Sequence, residues 1–112
     1  MEIKKFNSLE ELQQALAIRP AVMLYFYQDT CGVCVQVLPK AKAIMEESFP
    51  LMELWVMEAE QHREIMAQMR MLSIPGILVF FEGQEFFRTN GLITLNEMEL
   101  KIRRPYSIMF EE

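Results

Sequence analysis

The feature that most constrains the fold is an apolar run of seven residues, Ala21 to Tyr27, that ends in aromatic side chains. An almost continuous apolar segment of this length is typical of a strand that is buried on both faces of a sheet. The run is the longest of its kind in the chain, and a helix needs roughly 20 residues to span a bilayer. It therefore predicts a central strand covered on both sides, and no transmembrane segment.

Two helices are predicted beside this strand. Ser8 and Glu11 form a capping box at the start of the first helix, which ends before Arg19. The second helix begins at Cys31, because apolar residues then recur every three or four positions as far as Phe49. Strand and helix thus alternate in the first half of the chain.

The second half continues the alternation. A strand is predicted at 51–57, followed by a helix from about Glu60 whose apolar positions are Ile65, Met66, Met69 and Leu72. Strands at 77–81 and 85–89 form a hairpin with its turn at Glu82-Gly83, and Asn90-Gly91 closes the second arm. Thr94 and Glu97 form the capping box of a last helix. That last helix is predicted to end at Arg104, because Pro105 stops it. The pattern indicates an α/β fold in which helices flank a mixed central β-sheet on both faces.

Composition narrows the class of protein. With 112 residues and 52% apolar side chains, residues 1–112 are predicted to fold as one domain around one core. The net charge of −5 argues against nucleic acid binding, and two cysteines are too few for a disulfide-stapled secreted framework. No apolar signal core is present near the N-terminus, so a cytoplasmic protein is expected.

The two cysteines form the motif Cys31-Gly32-Val33-Cys34 where the apolar strand gives way to a helix. Backbone N–H groups and the helix dipole stabilise an anion at a first turn, so Cys31 is the candidate nucleophile with a lowered pKa. Cys34 lies on the apolar stripe of the helix and is the candidate resolving thiol. Two alternatives remain: half of a zinc site, for which the chain offers one histidine, His62, or an inert pair of core residues.

With these elements in place, the chain resembles the thioredoxin family over nearly its whole length. The features that carry the resemblance are the Cys31-Gly32-Val33-Cys34 motif, Pro39, Ile74-Pro75 ahead of a strand, and Gly83 and Gly91 around the hairpin. The resemblance implies a thioredoxin-like fold and thiol–disulfide exchange with protein disulfide substrates. It also implies a thioredoxin-reductase-like flavoprotein as electron donor and a monomer, with no organic cofactor and no metal.

The resemblance also implies a peptide groove beside the cysteines. In the family the proline that matches Pro75 is cis and abuts the disulfide, while the residue before it, here Ile74, offers its backbone to an extended peptide. Gly91 is expected to form the opposite wall. Thr30, Gly32 and Val33, which adjoin the cysteines, complete the predicted substrate-binding residues.

Four departures from the family pattern bear on the chemistry. Thr30 replaces the usual tryptophan and Val33 the usual proline, while Tyr25 stands where the family has a buried aspartate and Leu54 where its lysine partner is expected. Without that carboxylate, exchange is expected to be slower near neutral pH or to use water or Asp29 as the proton acceptor. Val33 adds a backbone donor at the helix start, which predicts a lower Cys31 pKa and a less reducing potential.

The remaining features favour structural interpretations. Four methionines are predicted to fill the core rather than to form a recognition surface: Met45, Met66, Met69 and Met98. The acidic residues near Glu46 and Glu58 are predicted to be solvated rather than to bind a cation. His62 is predicted to be exposed. The apolar segment after Pro105 is predicted to fold back onto the domain, the alternative being a partner subunit. The alternative function is a thioredoxin-fold binding module whose cysteine pair is a redox switch or a vestige.

Overall fold

The structure, a computed structural model, describes residues 1–89 and 94–110 and is organised around a five-stranded sheet. The strands are β1 (Glu2–Ile3), β2 (Ala21–Tyr27), β3 (Glu53–Glu58), β4 (Gly76–Phe81) and β5 (Gln84–Thr89). They lie in the order β1-β3-β2-β4-β5, with β1, β3 and β2 parallel and β4 antiparallel to both of its neighbours. The run 21–27 is the central strand, and the sheet is mixed, as the sequence predicts.

Helices cover both faces of this sheet. They are α1 (Leu9–Ala17), α2 (Gly32–Ser48), α3 (Arg63–Gln68), which follows a single 3₁₀ turn at Glu60–His62, and α4 (Leu95–Phe110). Alternate residues of β2 point to opposite layers, because side chains alternate along a strand. Met23 and Tyr25 pack in the layer of α2 and α4, whereas Leu24 and Phe26 pack in the layer of α1 and α3. The predicted architecture is therefore confirmed.

Both side chains of the predicted capping box at the start of α1 accept backbone hydrogen bonds. Ser8 Oγ accepts a hydrogen bond from the Glu11 amide at 3.1 Å, and Glu11 Oε1 accepts one from the amide of Asn7 at 3.2 Å. The second bond thus comes from the residue before the cap rather than from Ser8 itself. Leu12 and Leu16 follow at helical spacing and are buried, so cap and apolar stripe fix this helix together.

The predicted hairpin turn between β4 and β5 is also present. Glu82 and Gly83 have φ angles of 51° and 81°, the left-handed conformation that two-residue hairpin turns require. A Cβ atom at Gly83 would lie 2.9 Å from the Cα of Ala17, so glycine is needed there for space as well as for conformation. Asn90 and Gly91, predicted to close the other end of β5, lie outside the described residues.

The prediction that Pro105 stops the last helix is wrong. Helix α4 contains Pro105 and continues to Phe110. The Tyr106 ring is buried against Phe49 with centroids 5.0 Å apart, and its hydroxyl accepts a hydrogen bond from the Leu51 amide at 3.0 Å. These contacts stabilise the helix and offset the free energy lost because Pro105 cannot donate a backbone hydrogen bond. The segment after Pro105 folds onto the domain, as predicted.

The third helix is shorter than its apolar pattern suggests. It ends at Gln68, and Arg70 adopts a left-handed φ of 58°, which turns the chain away from the helical path. Leu72, predicted to lie on the buried stripe, is 86% exposed. The methionines predicted to fill the core do so, with Met45, Met66 and Met98 buried and Met69 half-buried.

His62 is buried, contrary to the prediction that it is exposed. Its side chain is 2% accessible, Nδ1 lies 2.7 Å from the carbonyl oxygen of Glu58, and Nε2 accepts a hydrogen bond from the Phe6 amide at 3.0 Å. This pair of bonds assigns the neutral ring with its proton on Nδ1. The imidazole thus connects the segment before α1 to the end of β3. The sequence does not predict this connection, because it shows only a single histidine next to a charged residue.

Candidate active site

The loop that carries the first cysteine is held by Gln28, the residue after β2. Its side-chain oxygen accepts from the Glu60 amide at 3.0 Å, and its amide nitrogen donates to Glu58 at 3.3 Å and to Asp29 at 3.4 Å. Its backbone carbonyl accepts from the Cys31 amide at 3.0 Å. One side chain therefore ties the loop to the end of the neighbouring strand, so the position of Cys31 follows from the sheet.

Cys31 is the N-cap residue of α2. Its sulfur is half-buried and accepts a hydrogen bond from the Cys34 amide at 3.3 Å. The pKa of Cys31 is lowered, first by the hydrogen bond from the Cys34 thiol and then by backbone N–H groups of Cys34 and Val33, while desolvation opposes the shift. An accessible sulfur with its charge stabilised in this way can attack a disulfide.

Cys34 lies one helical turn later and is fully buried on the inner face of α2. Its pKa is raised to about 11, mainly because burial disfavours the thiolate and next because its thiol donates a hydrogen bond to Cys31. The two thiols therefore differ in ionisation: Cys31 is half-buried with a lowered pKa, whereas Cys34 is fully buried with a raised pKa. The pattern of the sequence places both residues correctly, and their roles stay predictions.

Tyr25 contacts the backbone of the second cysteine, and the residue pattern does not predict this contact. Its side chain is fully buried, and its hydroxyl donates to the Cys34 carbonyl oxygen at 2.8 Å. Burial and, to a smaller extent, the two sulfurs raise its pKa well above the usual range of a tyrosine. The only signal in the sequence is its place six residues before Cys31.

The residue across the sheet from Tyr25 is Val56, not Leu54. Leu54 pairs with Met23, two positions earlier on the same face, so the position expected for the family's lysine partner does not lie opposite Tyr25. Both Leu54 and Val56 are buried and apolar. The core below the cysteines thus has no cation at either position, which agrees with the predicted loss of the charged pair.

A groove of about 240 Å³ lies beside α2. Its lining residues are Val33, Val37, Lys40, Pro75, Ile77, Thr89, Thr94, Leu95 and Met98. The Ile74–Pro75 peptide bond is cis, as the resemblance implies, and Pro75 is buried. The groove is mainly apolar and carries one positive charge, Lys40, at its wall.

The other predicted substrate-binding residues divide into three groups. Thr30 and Gly32 are exposed beside Cys31 but do not line this groove, and a Cβ atom at Gly32 would meet only open space. Ile74 is half-buried, and its side chain packs in the layer of α1 and α3 rather than in the groove. Gly91 lies outside the described residues.

In residues 1–89 and 94–110, no three side chains among histidine, cysteine, aspartate and glutamate come together in a way that could hold a metal ion. No helix in the described part of the chain is long and apolar enough to cross a membrane.

A cysteine pair at the start of a helix, with a cis-proline and a groove beside it, defines the class of thiol–disulfide exchange proteins. The thioredoxin family model matches residues 3–104, and the chain belongs to that family. Family and fold together support a function of the thiol–disulfide oxidoreductase kind.

Individual relatives are distant but match over most of their length. The thioredoxin-like protein YdfQ of Bacillus subtilis is 24% identical over 107 residues, which are 96% of this chain and 95% of that protein. Thioredoxin 1 of Chlorobaculum tepidum is 27% identical over 81 residues, which are 72% of this chain and 80% of that protein.

Solved structures share the fold. Plasmodium falciparum thioredoxin superposes with a TM-score of 0.76 at 15% identity, covering 93% of this chain and 99% of its own. Fasciola hepatica thioredoxin gives a TM-score of 0.72 at 24% identity, covering 92% and 98% respectively.

Proposed function

We propose that this protein is a cytoplasmic thiol–disulfide oxidoreductase that reduces disulfides of protein substrates through Cys31 and Cys34. The observation that carries the proposal is the asymmetry of the pair, in which an accessible sulfur with a lowered pKa sits one turn before a buried, protonated one. A reducing compartment keeps such a dithiol available for reaction.

The chemistry transfers two electrons from the dithiol to the substrate. The Cys31 thiolate attacks one sulfur of the substrate disulfide, a mixed disulfide forms, and the other substrate sulfur leaves as a thiolate. The Cys34 sulfur, after losing its proton, attacks Cys31 and releases the second substrate thiolate. The protein ends with a Cys31–Cys34 disulfide, and both substrate sulfurs end as thiols after taking up protons.

The apolar groove beside Pro75 supports a peptide as the substrate. Val33 lines the groove, lies between the two cysteines in sequence and is 59% exposed, so an extended segment around a disulfide can contact it. The oxidised protein is then recharged by an external donor, which we propose to be a flavoprotein similar to thioredoxin reductase. The proposal includes a monomer without organic cofactor or metal.

Trapping tests this proposal directly. A Cys34→Ser variant cannot resolve the mixed disulfide and should accumulate substrates covalently attached to Cys31, which mass spectrometry of a lysate identifies. The matched control, Cys31→Ser with Cys34→Ser, should trap nothing. The proposal is wrong if the single variant traps neither a protein nor a small disulfide.

A second candidate function is a binding module whose cysteine pair is a redox switch or a vestige. The observation that favours it is the exposure of two apolar side chains, Val33 between the cysteines and Leu72 three residues before Pro75. Turnover of a generic protein disulfide by the reduced protein separates the two functions. A rate no higher than that of a free dithiol supports the binding module.

A further inference from the structure

The hydroxyl of Tyr25 is engaged in a way that limits what it can do for the buried cysteine. Its proton is donated to the carbonyl oxygen of Cys34 at 2.8 Å, inside a fully buried environment. A neutral phenol is a very weak base, and the phenolate is disfavoured because burial and the two sulfurs raise the pKa of Tyr25. Tyr25 is therefore a donor to the backbone and cannot take the proton of the Cys34 thiol.

The described groups that interact with the Cys34 thiol include no carboxylate. In the described part of the chain, the titratable side chains found to interact with Cys34 are those of Tyr25 and Cys31. The carboxylates of Asp29 and Glu58 lie beyond the end of the core and accept from the amide of Gln28. In the described part of the chain, the groups that act on the pKa of Cys34 are the Cys31 sulfur and backbone amides, and no carboxylate is among them.

The Cys34 thiol consequently stays protonated when the nucleophile has reacted. Formation of a mixed disulfide at Cys31 removes the neighbouring charge, but burial, the largest cause of the raised pKa, is unchanged. In the reduced protein, where the pKa of Cys34 is about 11, only about one Cys34 side chain in ten thousand is a thiolate at pH 7. The mixed disulfide loses the hydrogen bond and the charge of Cys31, and burial remains as the cause that keeps the pKa of Cys34 raised. Attack on the mixed disulfide requires the Cys34 thiolate.

We propose that Tyr25 holds the backbone of Cys34 without serving as its proton acceptor, so that the Cys31–substrate mixed disulfide is a long-lived state which resolves only as Cys34 loses its proton to solvent. This inference rests on the proposed function. The protein then holds a substrate covalently near neutral pH and releases it faster as the pH rises. In the slow step the Cys34 proton passes to water or hydroxide, the Cys34–Cys31 bond forms, and the substrate sulfur leaves with the electron pair.

Stopped-flow reaction with Ellman's reagent separates the two steps, because each releases one coloured thionitrobenzoate. The reduced protein should give a fast first phase from Cys31 and a second phase whose rate rises about tenfold per pH unit from pH 6 to pH 9. Cys34→Ser should keep the first phase and lose the second. A second phase that changes less than twofold over that range overturns the inference.

Variants of Tyr25 test its part in the slow step. Tyr25→Phe should keep the pH slope and a second-phase rate within about threefold of the original, because no proton relay is lost; a larger slowing contradicts the inference. Tyr25→Asp, which supplies a buried acceptor, should accelerate the second phase at least tenfold at pH 7 and flatten its slope, and a folded variant without acceleration also contradicts it.

The pH profile and Tyr25→Phe complete the test even if the aspartate variant does not fold. The same records distinguish failure of this inference from failure of the proposed function. Absence of the first phase contradicts the proposed function, whereas a first phase followed by a fast, pH-independent second phase contradicts only this further inference.

Discussion

The N-termini of α1 and α2 are built alike and serve different ends. At α1 the side chain of Ser8 accepts from the amide three residues later at 3.1 Å, and at α2 the sulfur of Cys31 accepts from the Cys34 amide at 3.3 Å. Both cap residues have extended backbone conformations. The cap at α1 stabilises the start of a helix, whereas the cap at α2 places a nucleophile in the field of a helix N-terminus.

The difference between the two caps lies in ionisation. A serine hydroxyl remains neutral in water, so the amide at α1 contributes only to helix stability. A thiol can ionise near neutral pH, and the same kind of hydrogen bond then favours the charged form, together with the bond from the Cys34 thiol. A structural motif therefore becomes a reactive one through the replacement of oxygen by sulfur.

The largest effect on the rate of disulfide exchange is expected when Cys31, the reactive cap of α2, is replaced by serine, the residue that caps α1. Cys31→Ser keeps an oxygen acceptor for the Cys34 amide, so the midpoint of urea denaturation should be nearly unchanged. Disulfide exchange should fall by more than about a thousandfold, because the nucleophile is lost. Both measurements use reduced protein, and retention of exchange would show that Cys31 is not the attacking group.

The second effect concerns the selectivity between the two sulfurs. The lowered pKa of Cys31 keeps its thiolate populated until the pH falls below that value, while Cys34, with a pKa of about 11, stays protonated at neutral pH. Iodoacetamide at pH 7.5 should therefore modify Cys31 at least about a hundredfold faster than Cys34. Mass spectrometry of peptides from a time course measures both rates, and equal labelling would contradict the asymmetry.

The lowered pKa of Cys31 also makes the free energy of unfolding depend on pH. An acid whose pKa is lowered by folding stabilises the folded state fully above its unfolded value, roughly 8.5 for a thiol, and this contribution is lost as the pH falls through the folded value. Cys34 acts in the opposite sense, because its raised pKa costs stability once the pH exceeds the unfolded value.

A smaller effect should follow from removing one donor at the reactive cap. The Val33 amide helps to lower the pKa of Cys31, and Val33→Pro deletes that N–H. The Cys31 pKa should rise and the pair should become more reducing, by up to about tenfold in the equilibrium with glutathione, which corresponds to about 30 mV. If the proline variant is the more oxidising protein, the backbone-donor argument fails.

The smallest effect is expected at the structural cap. Ser8→Ala removes the acceptor for the Glu11 amide and should lower the free energy of unfolding by about 1 kcal/mol. The exchange rate should stay the same, because α1 packs on the opposite face of the sheet from α2. Urea titration and the thionitrobenzoate assay on one preparation give both values, and a change in exchange would show that the two caps are coupled.

Features with local causes could be predicted from the sequence. The apolar run before Cys31, the spacing of the two cysteines and the cap at Ser8 each depend on neighbours within a few residues, and each is present in the structure. Pro75 was identified through resemblance, and its cis bond is present too.

Features that depend on partners distant in the chain could not be predicted. The acceptors of Tyr25 and His62 are backbone carbonyls, which carry no sequence signature, so burial of a phenol or an imidazole cannot be inferred from residue type. The continuation of α4 past Pro105 could not be predicted for a similar reason. It depends on Tyr106, whose partners Phe49 and Leu51 lie just after the end of α2 and far away in the chain.

The extension of α4 has a consequence for where the folding unit of this protein ends. The family pattern ends at residue 104, yet Tyr106 is part of the core, and Met109 and Phe110 pack against it. A boundary drawn by homology would therefore cut through a packed layer and leave the Phe49 ring uncovered and the Leu51 amide without its hydroxyl acceptor. In this chain the packed unit extends past the residues that the family model matches, and the last turns of α4 cover the sheet together with the helix that carries the cysteines.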